Sequence, residues 1–239
     1  MDPLCQTVLR IHRFFSRHLF YPIALSTALV FIFFGARIYW SQKVAYTFLV
    51  WNLFLAWLPY GFSLLIAALH ERFPRAWWAL FPFAALWLLF LPNAFYITTD
   101  LIHLKHRPDI PLWYDAGLLS IAAWTGIFLA VVSLQTIQEV VSDFLGALAG
   151  WLFALAVIAM SGYGVYLGRF LRWNSWDVLS DPLGILADSL IPITNPRSSL
   201  DKLVFMAMYT SLFLVTYLTF SWMRPLKRPT ETPPTPAGG

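Results

Sequence analysis

Long apolar runs separated by short polar ones are the first pattern in this chain. Six segments, near 20–40, 44–69, 76–98, 112–134, 145–168 and 203–222, each approach the roughly 20 apolar residues that a helix needs to cross a bilayer. A segment in lipid must satisfy its own backbone groups, so the expected fold is all-α: a polytopic transmembrane helix bundle of about six spans. Connections are short except for 169–202. That spacing predicts a single transmembrane domain over 20–222, a basic N-terminal segment at 1–19, and a basic, then Pro/Thr-rich tail at 223–239 that reads as disordered.

Composition strengthens this reading. The chain is 59% hydrophobic and only 12% charged, against the roughly one quarter charged typical of soluble domains, so a soluble enzyme is excluded. Arg10, Arg13 and Arg17 precede the first span like the basic region of a signal peptide. Its apolar core is too long for one and lacks a small-residue cleavage site, so the span is expected to be retained. The lone Cys5 excludes an internal disulfide.

The net charge of +4 comes from basic residues beside span ends, not from one continuous stripe. The implied partners are the lipid bilayer and anionic lipid headgroups, with no nucleic acid; protein partners are not specified. With six spans both termini share one side. Lys and Arg tie at eight on each side, the termini side counting Arg72, Arg75, Arg224, Lys227 and Arg228 with the first three arginines. If Arg169 and Arg172 serve a site instead of topology, the termini are cytoplasmic.

Two polar stretches stand out at span ends, where ionisable groups are costly and therefore informative. The first runs from Pro92 to His103 and the second from Arg169 to Asp177. Both lie opposite the termini, as does Trp113-Tyr114-Asp115 at the start of the fourth span, so the three can meet. By contrast, the connection between the fourth and fifth spans carries only Glu139 and Asp143 as charges.

Helical spacing stacks Asp100 with His103, and His103 with His106 and Arg107. Carboxylate and imidazole together pass protons or bind a divalent metal, which makes Asp100, His103 and Asp115 candidate catalytic residues and Asp100, His103, His106 and Asp115 candidate metal ligands. A hydrogen-bonded interface pair explains the same residues equally well. Arg169, Arg172, Trp173 and Trp176 would form one stripe on a continuing helix, pairing guanidinium forks for phosphate with headgroup-level indoles. With Asn93, Asn174 and Asp177 they make up the candidate substrate-binding set; snorkelling arginines in an aromatic belt are the alternative. Asn174 three residues before Asp177 also resembles a capping box that would break this stripe. Asp181-Pro182 predicts the start of a short helix, through Ile191, that lies in the interface or re-enters the membrane. Asp188 on it is expected to face water.

Within the spans, Pro59 and Pro92 predict kinks, and Asn52 predicts an interhelical hydrogen bond. Gly146, Gly150 and Ala154, then Gly164 and Gly168, predict a close-packing face.

The stretches Leu91-Pro92-Asn93 through His103, Trp113-Tyr114-Asp115, and Gly168-Arg169-Phe170 through Asp177 resemble the bacterial integral membrane proteins known as domain of unknown function 1361. The resemblance covers the chain from the first span to the last, with Phe95 where the usual motif has proline. It implies an all-helical, multi-pass protein of the bacterial cell membrane and carries no assigned activity.

Three classes of function remain open. The leading one is an enzyme or binding protein for a phosphorylated amphiphile, a phospholipid or polyprenyl phosphate, handled in a polar pocket opposite the termini. A structural or assembly subunit and a small proton-coupled transporter are the others.

Overall fold

The computed structural model describes residues 3–74, 77–194 and 199–223. The expected tail beyond Met223, with Arg224, Lys227 and Arg228, lies outside these residues, as do Arg75 and Arg197. Every regular element among the described residues is helical. In order they are α1 (Pro3–Arg17), α2 (Phe20–Ser41), α3 (Thr47–Arg72), α4 (Phe81–Tyr96), α5 (Leu112–Leu145), α6 (Ala147–Tyr166), α7 (Asp177–Ser180), α8 (Pro182–Thr194) and α9 (Leu200–Met223). A 3-10 turn, Trp77–Leu80, leads into α4, a second, Ile97–His103, extends it, and a π turn, Leu167–Leu171, extends α6. Six of these units are long and apolar enough to cross a membrane. The protein is an all-α, multi-pass membrane bundle.

α5 is the axis of the bundle. Its most apolar stretch is 72% buried, against 17% for α2 and α9 at the periphery. Polar residues on α5 pin it to its neighbours. Thr125 Oγ1 shares a 2.6 Å hydrogen bond with Ser26 of α2. Ser133 Oγ accepts from Trp87 Nε1 of α4 at 2.7 Å and donates to the Pro59 carbonyl of α3 at 3.1 Å, and Gln135 donates to Ser221 of α9 at 3.2 Å. Such bonds contribute roughly 0.6 kcal/mol each in membrane bundles, so their main effect is to fix rotation and register. Close approach completes the fit: a Cβ on Gly126 would stand 2.4 Å from the Ala94 carbonyl, and one on Gly164 would stand 2.7 Å from the Pro92 ring.

One expected boundary is corrected. The polar stretch from Gln135 to Leu145, read as a connection because of Glu139 and Asp143, continues α5 as helix. It contains no Gly or Pro to stop it, and Ile137 and Val140 are buried. α5 is therefore 34 residues, about 51 Å at 1.5 Å per residue, and reaches past the hydrocarbon core. Gly146, at φ 89°, makes the sharp turn into α6. The basic segment before the first span is itself ordered as the amphipathic helix α1.

Candidate functional site

Two buried Arg–Asp pairs lie at the end of the bundle opposite the termini. The first joins α2 to α5. Arg37 Nε donates to Asp115 Oδ1 at 2.7 Å and Nη2 to Oδ2 at 3.2 Å, a two-pronged geometry with both side chains 2% exposed or less. Tyr46 donates its hydroxyl to the same Oδ2 at 3.1 Å. Arg107 approaches that oxygen at 4.0 Å, and the guanidiniums of Arg37 and Arg107 both stack on the Tyr46 ring, 4.8 and 4.7 Å from its centre. Burial, followed by the facing carboxylate, raises the Tyr46 phenol above its ordinary range, which keeps it a hydrogen-bond donor.

The second pair is more open. Asp100, on the turn that ends the third span, is 2% exposed. Asn52 of α3 donates to its Oδ2 at 2.7 Å, while Arg169 Nη1 stands 3.9 Å from Oδ1, beyond hydrogen-bonding reach. Arg169 instead donates to the Tyr96 hydroxyl at 3.3 Å and contacts His103 Nε2 at 3.2 Å. A guanidinium only donates, so Nε2 accepts there and the ring carries its proton on Nδ1. The π turn that follows α6 delivers Arg169 to this position. Gly168 lies against Tyr96 on the same wall, where an added Cβ would come within 3.3 Å of the ring.

A groove of 760 Å³ runs from this cluster along α3, α4 and α6, under the segment that follows the fifth span. Leu88, Leu89, Met160 and Leu167 give it an apolar lining, and Asn52 and Tyr96 stand in its wall. Those two residues are also the partners of Asp100 and Arg169. Asn93 likewise lines the groove and donates to Ser175 Oγ at 2.8 Å; Ser175 donates in turn to the Leu89 carbonyl at 2.9 Å, fastening the covering segment next to Pro92.

The structure thus brings together Asp100, His103 and Arg169, with Asn93 close by along the groove. It does not bring Asp115 to them, because Arg37 and Tyr46 take up both its oxygens. Phe48 stands between the clusters, its ring 5.7 Å from Tyr46 and 4.8 Å from His103. His106 lies past the end of the turn and is exposed. The four candidate metal ligands therefore do not assemble, and among the described residues no three His, Cys, Asp or Glu side chains are grouped to hold a metal.

The expected arginine–tryptophan stripe is also broken. Arg172 adopts a left-handed φ of 61°, which ends the helix, and its side chain is exposed. Trp173 Nε1 donates to Asp188 at 3.0 Å, so Asp188 anchors the groove cover instead of simply facing water. Trp176 meets Trp51 edge-on, 6.4 Å between centres. The capping reading of Asn174 and Asp177 is the better one: Asp177 Oδ2 accepts from the Asn174 backbone at 2.7 Å and its side-chain amide at 3.1 Å. Asp181 caps α8 as expected, accepting from the Gly184 backbone N–H at 2.9 Å.

Sequence reasoning passed over Arg37, Tyr46 and Tyr96, and read Asn52 only as an interhelical tie. Arg37 carried a usable signal, since it lies inside the first span and not beyond its end. Tyr96 had none of its own in a chain with 10 tyrosines.

Helical spans, a buried ionic floor and an apolar groove define a multi-pass membrane protein with an internal polar site. The family described as Protein of unknown function (DUF1361) matches residues 51–216, and the chain belongs to that family. The match takes in Asn52, Asp100, His103, Asp115 and Arg169, whereas Arg37 and Tyr46 precede it. No curated protein and no solved structure matches the chain.

Proposed function

We propose that the protein binds a phosphorylated amphiphile, a phospholipid or polyprenyl phosphate, with its apolar chain in the groove and its headgroup at Arg169. One observation carries this reading: Asn52 and Tyr96 are at once the wall of an apolar groove and the ligands of a buried Asp–Arg cluster. An amphiphile needs that juxtaposition of apolar channel and cationic end. Arg169 is not locked to Asp100, so its planar fork retains hydrogen bonds to offer a phosphate. Asp100 and His103 flank that position and are the residues for any proton transfer to the bound headgroup.

The proposed setting is a bacterial cell membrane with cytoplasmic termini. Arg37 is buried and Arg169 half-buried, each beside a buried carboxylate, so they drop out of the topology count and leave six cations on the groove side against eight on the other.

A second reading, a structural or assembly subunit, draws on one fact: the cluster's own members satisfy much of its hydrogen bonding. Mass spectrometry of lipid retained by gently solubilised protein separates the two. Retention of a phosphorylated amphiphile by the wild type, and its loss from Asn52→Leu and Arg169→Lys proteins that remain folded, is expected. Protein that carries no such lipid, or variants that carry it equally, leaves the structural reading standing.

A further inference from the structure

At the termini end of the bundle α1 and the end of α3 enclose a second groove, of 950 Å³. Arg10, Arg13, Phe14 and Arg17 of α1 face Glu71 and Arg72 of α3 across it. α1 carries its arginines at i, i+3 and i+7, which gathers them on one side of the helix. Too polar to span, it has the character of a helix lying in the bilayer interface.

α1 is held in place and does not trail. The Tyr60 hydroxyl, fully buried on α3, donates to the His18 carbonyl at 2.9 Å. Phe15, Phe20 and Trp57 follow in ring contact, at 4.7 and 6.0 Å between centres. Burial lowers the His18 pKa, which favours the neutral imidazole at this hinge, where Nδ1 bonds the Phe14 carbonyl at 2.8 Å. Arg17 is a further clamp, 3.3 Å from Glu71 and 3.5 Å from Glu139 of α5.

The described acidic groups at this end are taken up elsewhere, Glu71 and Glu139 by the clamp and Asp143 by His70 at 3.3 Å. Arg17 answers Glu71 and Glu139, while Arg10, Arg13 and Arg72 make no ion pair with any described residue. Three guanidiniums without a carboxylate partner among the described residues thus surround one groove whose walls also include Phe14, Phe15 and Ala68; Arg13 Nε donates only to the Leu9 carbonyl at 3.3 Å, and Arg72 stacks on the Phe73 ring. Similar charges held this near one another on a fixed helix repel, and a polyanion with an apolar body relieves that repulsion. In a helix lying along the bilayer interface, the anions within reach are lipid headgroups.

We infer that this groove is a binding site for a membrane lipid whose headgroup carries two phosphodiesters, held by Arg10, Arg13 and Arg72. Two negative charges match the three free cations better than one, and planar guanidinium forks suit phosphate oxygens. The site is independent of the groove at the other end of the bundle.

Native mass spectrometry of the full detergent-solubilised chain tests it, with cardiolipin as the two-phosphate probe and phosphatidylglycerol as the one-phosphate probe. Wild-type protein should favour cardiolipin. Each juxtamembrane arginine contributes about a few-fold to headgroup affinity, so an Arg10→Gln/Arg13→Gln/Arg72→Gln protein should lose about tenfold or more. A Lys43→Gln/Lys105→Gln/Lys202→Gln protein removes the same charge elsewhere and should bind like wild type. All three residues replaced in the first variant are on exposed surfaces, and a Tyr60→Phe protein, in which α1 loses its tie, gives a second measure: reduced cardiolipin preference with every arginine retained. Equal binding of the two lipids by the wild type, or equal losses in the two triple variants, would show non-specific charge attraction and overturn the site.

Discussion

The two Arg–Asp pairs share residue types and a buried carboxylate but not geometry. Arg37 and Asp115 close on each other at 2.7 and 3.2 Å, with Tyr46 completing the carboxylate. Arg169 and Asp100 stop at 3.9 Å, and each relies on neutral partners, Asn52 for the acid and Tyr96 and His103 for the base. The closed pair has spent both oxygens of its carboxylate within the protein, with Arg37 Nη1 left as its one unpartnered buried nitrogen. An open one keeps capacity for something that arrives, and the partners of the open pair, Asn52 and Tyr96, line the 760 Å³ groove. Burial of charge alone therefore does not separate the two pairs; in the proposed reading, an ion pair left apart beside a groove does.

The largest expected difference is in stability. Asp115→Ala leaves the Arg37 guanidinium buried without its partner, and such losses cost about 3–5 kcal/mol. Thermal unfolding in detergent should show a severely destabilised protein, with much of it regained in an Arg37→Met/Asp115→Leu double variant. If Asp115→Ala unfolds like wild type, the closed pair is not structural and the contrast collapses.

Arg169→Lys should do the reverse. It keeps the charge but not the fork, so unfolding stays near wild type while retention of the phosphorylated amphiphile falls about tenfold, roughly 1.4 kcal/mol. Unchanged retention would place the headgroup elsewhere. Next in size is Tyr46→Phe, which removes one hydrogen bond to a buried carboxylate and should cost about 1.5 kcal/mol of stability. A matching Tyr96→Phe change should leave the melting profile nearly flat and register in lipid retention instead.

The smallest effect is expected for Asp100→Asn. The amide oxygen still accepts from Asn52, and the lost attraction acts across 3.9 Å, so stability should change by about 1 kcal/mol or less. Phosphate retention should hold or rise, because a competing anion beside Arg169 is gone. A clear fall in retention would show that the acid itself holds the ligand.

Much of this was legible beforehand because it depends on quantities that add along the chain. Apolar length gave six spans, and span parity put Asp100, Asp115 and Arg169 at one end. What parity cannot encode is which way a side chain turns. Sequence spacing groups Asp115 with Asp100, yet its partner is Arg37, 78 positions away on another span. Likewise the run from Gln135 to Leu145 looked like a loop by polarity, although its buried Ile137 and Val140 required only one face to be apolar. The Arg169 stripe failed for a different reason: it presumed uninterrupted 3.6-residue winding, and the chain changes its winding there.

That change has a consequence for phase. A π turn accommodates one more residue than the helix around it, so everything from Arg169 onward is out of step with the face set by Ala147–Tyr166. One residue of α-helix corresponds to about 100° of rotation. Winding Leu167–Leu171 as regular α-helix at the same length would swing the chain behind the turn by about that angle, away from Tyr96 and His103, whereas deleting one residue of the turn would remove the extra residue and the wide winding together and leave the phase close to the present one. The orientation of this arginine is thus written in the winding of the chain around it as much as in the identity of its neighbours, and a one-residue deletion in the turn is a test of that winding: it should keep Arg169 near Tyr96, while a one-residue deletion within Ala147–Tyr166 should not.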